Sequence, residues 1–488
     1  MTPSGILFGW IFPGLGLAFF VAGAVTNAQV MLGWAAWVRE ARERGGSPSM
    51  VPFVPGIVGA ISLWNGPFEW MKAIAWLPLL LDAGCVPYLV MALFASRAPA
   101  VEDPVDAAAQ AQALADLEQR AADKKARSDI HFQAFAGCLL GTAVGDALGL
   151  ASEGLSPQRQ ARMFPRTDRY HFLPFGRGMC SDDTEHTVMV GQSIVETASY
   201  TRHHGDAMLF RNDLAWRMRW WLLGLPAGIG MATLKGILRL WLFLPPRWQG
   251  SFSAGNGPAM RSALIGVFWA QEPEAMRQHV EASTQLTHSD PKASQAALAV
   301  AVAAAMSAQQ GGKVDANHYA LHMRELLGTE GAELSALIDR VAQSVRAGET
   351  TQDFASALGL QRGVTGYAFH TVPVALHAWL AHPGSYREAV LAVIRCGGDT
   401  DTVAAITGGI AGAGCGRAAL PPEWLSHLVE WPRNVAWMDA LARQLAEMRV
   451  DFITTGLPQV SVFKLLLRNL FFLGVVLVHG FRRLLPPY

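Results

Sequence analysis

Two short stretches far apart in the chain hold the residues best suited to chemistry: Ser181-Asp182-Asp183-Thr184 and Gly397-Gly398-Asp399-Thr400-Asp401-Thr402. Each crowds carboxylates and hydroxyls together, an arrangement that repels itself unless a hard cation sits among the oxygens. Every donor is oxygen, which suits Mg²⁺ or Mn²⁺; zinc or copper would draw on His and Cys. Cys180, Cys396, His186 and His288 lie nearby in sequence but lack the ligand spacing of a zinc site. One acidic run alone reads as a helix cap, for which Asp and Thr are standard residues. Two matching runs favour a single oxygen-lined metal site. Both sit among small residues, 141–149 upstream and 404–416 downstream, so backbones can approach closely and bring the runs together.

Between the runs, Gly255, Asn256 and Gly257 precede a segment with Met260 and Arg261. Glycines admit a phosphate to the backbone, and a helix starting there offers N–H groups and positive potential. His288 follows in Thr-His-Ser-Asp-Pro, read either as a substrate contact or as a histidine satisfied within the core. Glu153 lies about two helical turns beyond Asp146 and shares its face if that helix persists, although Gly154 and Pro157 mark a helix ending. Asp146 itself reads as a structural hydrogen-bonding residue.

In order, the motifs GTAVGDALGLASEG, SDDTEHT, GNGPAMRSALIG, THSDP and RCGGDTDTVAAITGGIAGA resemble the ADP-ribosylglycohydrolase family, of the dinitrogenase-reductase-activating type, over about residues 130–450. The resemblance implies an all-α domain that cleaves the ribose anomeric bond of an ADP-ribosylated protein or a small ADP-ribosyl conjugate. It implies two Mg²⁺ ions, with Mn²⁺ as a substitute, bound by Ser181, Asp182 and Asp183 with Asp399, Asp401 and Thr402. Ser181 stands where the family most often has Thr, and the hydroxyl is kept. Glu153 is the matching acid on a flap that meets the substrate, with Asp183 as second choice for general base. Gly255, Asn256, Gly257, Met260 and Arg261 resemble the family's diphosphate and ribose wall, with His288 a further contact. A non-catalytic, membrane-bound ADP-ribose sensor is the alternative, against which the full acidic set and Glu153 argue.

The elements that must position these residues read as helices. Apolar periodicity marks residues 293–308, 319–327, 332–347, 386–394 and 435–448, and no run alternates as a strand does, so the domain is expected to be all-α. Residues 220–240 are apolar, but Arg217, Arg219, Lys235 and Arg239 break the flanks and Gly224 and Pro226 the interior. A buried or membrane-grazing helix pair is expected there. The 39 basic and 39 acidic residues cancel, leaving no excess to attract nucleic acid. The five cysteines form no CxxC pair, which argues against a disulfide framework and for a reducing compartment.

The first 97 residues read as a membrane anchor with about three transmembrane helices, at 6–30, 51–68 and 73–96. Arg39, Arg42 and Arg44 between the first two place that loop in the cytoplasm by the positive-inside rule. The protein is therefore expected to be integral to the membrane, with its catalytic domain facing the cytoplasm. Asp82 falls within the third span and is read as packing against a polar partner such as Asn27, while Lys72 snorkels at the span's edge. Residues 98–127 form a charged helical or flexible tether, and 128–460 the catalytic domain. Residues 461–488 read as a basic amphipathic helix on an anionic leaflet, with lipid contacts through Arg468, Arg482 and Arg483, or as a fourth, Arg-interrupted span.

Overall fold

The computed structural model describes residues 15–22, 24–25, 54–64, 69–82, 107–198, 206–451 and 456–487. The chain divides into two units, Met1–Ala113 and Leu114–Tyr488.

In the first unit the described residues are helical and small-residue packed. A Cβ on Gly59 of the helix Val54–Trp64 would press into the Phe20 ring at 2.7 Å, so glycine lets these two helical segments touch. Ser62 returns its hydroxyl to Val58 O within the same helix (2.7 Å). Glu69–Ala73 and Leu77–Leu81 follow as short helices on either side of a turn. Asp82 is buried and closes the second of them, its N–H on Pro78 O (3.0 Å). Asn27, residues 6–14 and residues 83–96 of the expected spans lie outside the described residues.

Every regular element described in the second unit is a helix, and extended pairing is confined to isolated bridges. Five helices expected from periodicity appear as Pro291–Gln309, Ala316–Leu327, Ala332–Ala347, Tyr386–Ile394 and Val435–Asp451. Asp290 and Asp315 cap the first two by accepting Lys292 N–H (2.9 Å) and His318 N–H (2.8 Å), and Gly348 closes the third in the left-handed region.

The helix that organises the site is Ala107–Gly149, 43 residues without a break. Its charged stretch is exposed from Ala115 to Arg127 and gives way to burial at Phe135. From there Gly137, Gly141, Gly145 and Gly149 recur every fourth residue, one stripe of the helix. They face the carbonyls of Gly412, Gly408, Ala404 and Thr400 on the helix Thr400–Cys415, and a Cβ on any of the four would collide with its partner carbonyl. The two helices thus touch backbone to backbone, and the Thr400 hydroxyl seals the end on Gly149 O (2.8 Å).

Residues 220–240 form part of the expected pair, Ala207–Leu223 and Met231–Trp241, broken at Gly224. The terminal helix Val462–Arg483 lies along the unit, with Arg468, Asn469 and Phe472 buried. Among the described residues two helices are long and apolar enough to cross a membrane. One is the segment Ala115–Ser152, 94% of whose apolar window is buried and which is therefore a core helix here; the other is Val462–Arg483.

Candidate active site

Both acidic runs stand at helix N-termini, and they also meet. Asp182–Ala198 begins with Asp182 and Asp183, and Thr400–Cys415 carries Asp399 at its N-cap and Asp401 in its first turn, so the carboxylates sit at positive helix ends. Asp146, wholly buried, fixes the first run by accepting the N–H of Ser181 (2.9 Å) and of Thr184 (3.2 Å) and the Thr184 hydroxyl (2.5 Å). Asp183 Oδ2 then accepts hydroxyls from both runs, Ser181 Oγ at 3.1 Å and Thr402 Oγ1 at 3.2 Å. Its Oδ1 is buried and accepts no hydrogen bond. Asn256 donates from Nδ2 to Asp399 Oδ2 (2.6 Å) and to Thr371 Oγ1 (3.0 Å), tying the glycine-flanked loop to the second run.

The turn carrying Glu153 is stitched to the same place. Gly398 donates its N–H to Leu155 O (2.7 Å), and Gly154 N–H returns to Gly398 O (2.7 Å). Gly397 and Gly398 both adopt positive φ (68° and 81°), and a side chain on Gly398 would collide with Val364 O.

These groups line a cleft of about 360 Å³, within the range of small-molecule sites. Of the residues expected from sequence, Glu153, Ser181, Asp182, Gly255, Asn256, Gly257, Met260, His288, Asp399, Asp401 and Thr402 face it. Burial pushes the carboxyls of Asp182, Asp183, Asp399 and Asp401 upward, and neighbouring carboxylates add to the push on Asp182, Asp183 and Asp401. Burial likewise raises Asp146 to about 7 despite its hydrogen bonds. An unpartnered buried carboxylate oxygen among crowded acids and hydroxyls is the donor chemistry a hard divalent cation fits. Among the described residues no three His, Cys, Asp or Glu side chains converge as a ready-made set, so an oxygen site here draws on the Ser181 and Thr402 hydroxyls as well. The zinc set is not assembled either: Cys180 Sγ turns to Ala143 O (3.6 Å) and Cys396 Sγ to Ala392 O (3.4 Å).

The family model described as ADP-ribosylglycohydrolase matches residues 127–451. The chain belongs to the ADP-ribosylglycohydrolase family. It is accordingly a hydrolase of glycosidic bonds. Relatives include an uncharacterized protein of Archaeoglobus fulgidus, 29% identical over 65% of this chain and 98% of its own length. The ADP-ribosylarginine hydrolase Tri1 of Pseudomonas putida is 28% identical over 61% of this chain and 75% of its own. The ADP-ribosyl-[dinitrogen reductase] glycohydrolase of Rhodospirillum rubrum is 25% identical over 60% and 89%.

Three residues of this ADP-ribosylglycohydrolase stand elsewhere than the sequence suggested. Arg261 does not face the cleft. It is wholly buried behind it, donating to Gly257 O (2.9 Å), Ser283 O (2.9 Å) and Thr287 Oγ1 (2.9 Å), and burial lowers it to about 9. Its role is to hold the loop and, through Thr287, the His288 ring, whose Nδ1 lies 2.8 Å from Thr287 Oγ1. Burial, with Arg261 nearby, lowers His288 to about 3, so the ring is neutral. Asp183 sits one layer behind the cleft surface, bridging the runs. Glu153 is not on the Asp146 helix, which ends at Gly149 and tightens into the single turn Leu150–Ser152; Glu153 follows that turn at the cleft mouth. Desolvation pushes its carboxyl upward, opposed by the Arg483 guanidinium and reinforced by the Asp399 carboxylate. The expected helix after Asn256 is also only the single turn Gly257–Met260.

Sequence reasoning missed one wall of the cleft. Phe472 and Val476 of the terminal helix line it, although they lie beyond the matched residues 127–451. Arg468, expected to meet lipid, is turned inward instead. Its guanidinium donates to Glu430 Oε2 (2.8 Å) and to Cys180 O (2.5 Å), next to the ligand run. The signal was the spacing of Arg468, Asn469, His479 and Arg483, which fall on one helical face.

Proposed function

We propose that this protein is a membrane-tethered, Mg²⁺-dependent ADP-ribosyl hydrolase. It acts on the ribose anomeric bond of an ADP-ribosylated protein or a small ADP-ribosyl conjugate. Residues 1–97 are its anchor, 98–127 a tether, 128–460 the catalytic domain facing the cytoplasm, and 461–488 a membrane-associated terminal helix. The observation that carries the catalytic reading is the meeting of Ser181 and Thr402 on Asp183 beside the cleft, with Asp183 Oδ1 left unpartnered.

Ser181, Asp182, Asp183, Asp399, Asp401 and Thr402 would hold two divalent cations. Such ions supply a Lewis acid for the ribose oxygens and neutralise the crowded carboxylates. Asp146 holds the backbone of the first run and Asn256 the Asp399 carboxylate of the second, which keeps the two runs in register. Gly255 and Gly257 leave backbone bare beside the His288 ring, where a Cβ would come within 3.0 Å and 3.1 Å of it; a substrate diphosphate can lie against that backbone. Glu153, at the mouth, stabilises the positive charge that develops at the anomeric carbon as the bond breaks.

The test is turnover of ADP-ribosylated arginine, ADP-ribosylated serine and a free ADP-ribosyl conjugate by the full chain, in Mg²⁺ and in chelator, with ADP-ribose binding followed by calorimetry. Mg²⁺-dependent release from at least one substrate is expected. Tight ADP-ribose binding with no release from any of them would instead establish a sensor.

A further inference from the structure

The terminal helix Val462–Arg483 is built inside out. Its inward face carries Arg468, Asn469, His479 and Arg483, all hydrogen-bonded to the catalytic unit or its backbone. Its outward face carries Leu467, Leu470, Phe471, Leu477, Val478 and Phe481, which are between 44% and 70% exposed. A helix docked on a water-soluble surface presents the reverse pattern, so the medium outside this one is not water.

The apolar surface continues around the cleft. Asn469 donates to Gly224 O (2.7 Å), which fastens the terminal helix to the turn between Ala207–Leu223 and Met231–Trp241. Ala227 of that turn packs, as Val475 and Val476 do, against the buried cluster that includes Phe172 and Phe472. Beyond it, Met231, Leu238 and Leu242 form an exposed stripe, and Met231 itself faces the cleft. Trp216 and Trp220 lie exposed on the neighbouring helix, amphipathic rings of the kind that settle at a lipid interface.

Charge identifies the medium. Residues 214–248 and 452–488 contain no Asp or Glu, in a chain whose acidic and basic residues are equal in number overall. Lys235, Arg247, Lys464 and Arg482 are exposed at the edges of the apolar surface. A second copy of the chain would meet the same uncompensated cations, whereas an anionic leaflet neutralises them.

We propose that the rim of the catalytic cleft is a docking surface for an anionic lipid bilayer, so that the enzyme works on ADP-ribosyl groups carried at the membrane face. The substrate clause rests on the hydrolase reading above; the docking surface does not.

The experiment places an environment-sensitive fluorescent amino acid at Leu477, at Leu242 or, as control, at Leu321, which is 55% exposed on the helix Ala316–Leu327 away from the rim. The full chain is reconstituted into vesicles containing brominated phosphatidylglycerol. Quenching at both rim positions is expected to exceed that at Leu321 by about threefold or more, and to be weaker in wholly zwitterionic vesicles. Quenching no greater than at Leu321 would overturn the proposal, even in protein that floats with the vesicles, because flotation reports the N-terminal anchor. Equal quenching in zwitterionic lipid would overturn the anionic assignment. The variant Leu242→Glu/Leu477→Glu should hydrolyse a soluble ADP-ribosyl conjugate at the parent rate but lose about tenfold on the same conjugate attached to a lipid-anchored peptide. An equal rate on both would overturn the substrate clause alone, and no hydrolysis by the parent would overturn the hydrolase reading while leaving the quenching result standing.

Discussion

Arg468 and Glu430 form a buried bidentate pair, Nε to Oε1 at 2.9 Å and Nη2 to Oε2 at 2.8 Å, with side chains only 2% and 6% exposed. Glu430 Oε2 also accepts the N–H of Cys180 (3.0 Å), so the pair braces the backbone entering Ser181. Removing one partner strands the other charge in the interior, which costs about 3–5 kcal/mol. Arg468→Met is expected to lower unfolding free energy by that order, and Arg468→Met/Glu430→Gln to recover much of it. Denaturant unfolding of the full chain reads both; an Arg468→Met protein as stable as its parent would show that the pair contributes nothing.

Gly145 meets the Ala404 carbonyl so closely that no side chain fits between the helices. Gly145→Ala should force the glycine helix and Thr400–Cys415 apart, costing about 3 kcal/mol and spreading the two acidic runs. Gly474 and Gly480, which have nothing within 4 Å, provide the contrast. Alanine at either should leave stability unchanged or raise it by up to about 1 kcal/mol, the ordinary gain for a helix interior. Thermal unfolding of the three variants side by side distinguishes a packing demand from mere helix propensity.

How far the sequence could be read followed the range of the interactions involved. Helix content and the small-residue packing were legible because they rest on local periodicity and on residue size at fixed spacing, as at 293–308 and 141–149. The meeting of the acidic runs was legible because their chemistry demanded it. Arg468 was not, since its partners lie 38 and 288 residues away and a basic residue in an apolar helix reads as surface charge. Arg261 was misplaced for a related reason: a glycine-rich loop suggests a ligand contact, and only the fold shows Ser283 and Thr287 enclosing the guanidinium. Glu153 depended on where one helix stopped, the least certain property of any sequence reading.

Asp182→Ala and Asp401→Ala are each expected to abolish turnover and to weaken Mg²⁺ binding by calorimetry, since each deletes a charged ligand from the proposed site. Full activity in either at limiting Mg²⁺ would rule out the binuclear reading.

Stability should carry the same signature. Carboxyls raised in the folded chain stabilise it fully below their unfolded values, and that contribution fades as pH rises through the folded ones. Asp146 reaches about 7, with Asp182, Asp183 and Asp401 also pushed up, first by burial. The buried His186, His288 and His377 are lowered from 6.5, so their contribution is complete above that pH and lost only on acidification. In chelator the unfolding midpoint should therefore fall as pH rises from about 6.5 to about 8. Mg²⁺ should flatten that slope by replacing the protons. A flat profile in chelator would mean that the acidic cluster is not under the strain its burial implies.

Glu153 separates binding from chemistry. It stands at the cleft mouth on a turn held to Gly398, so replacing its carboxylate disturbs neither the Asp183 bridge nor the Asn256–Asp399 contact. If it stabilises charge that exists only as the glycosidic bond breaks, Glu153→Gln keeps the ground-state contacts and loses the transition-state one. The expected result is a fall in kcat of about 100-fold or more, the usual scale for a positioned acid or base. ADP-ribose affinity should stay close to that of the parent, because the amide fills the same space. Single-turnover rates and calorimetry on the same preparation make the comparison. A kcat near the parent's would take the catalytic role away from Glu153, and a parallel loss of affinity and rate would make it a binding residue instead.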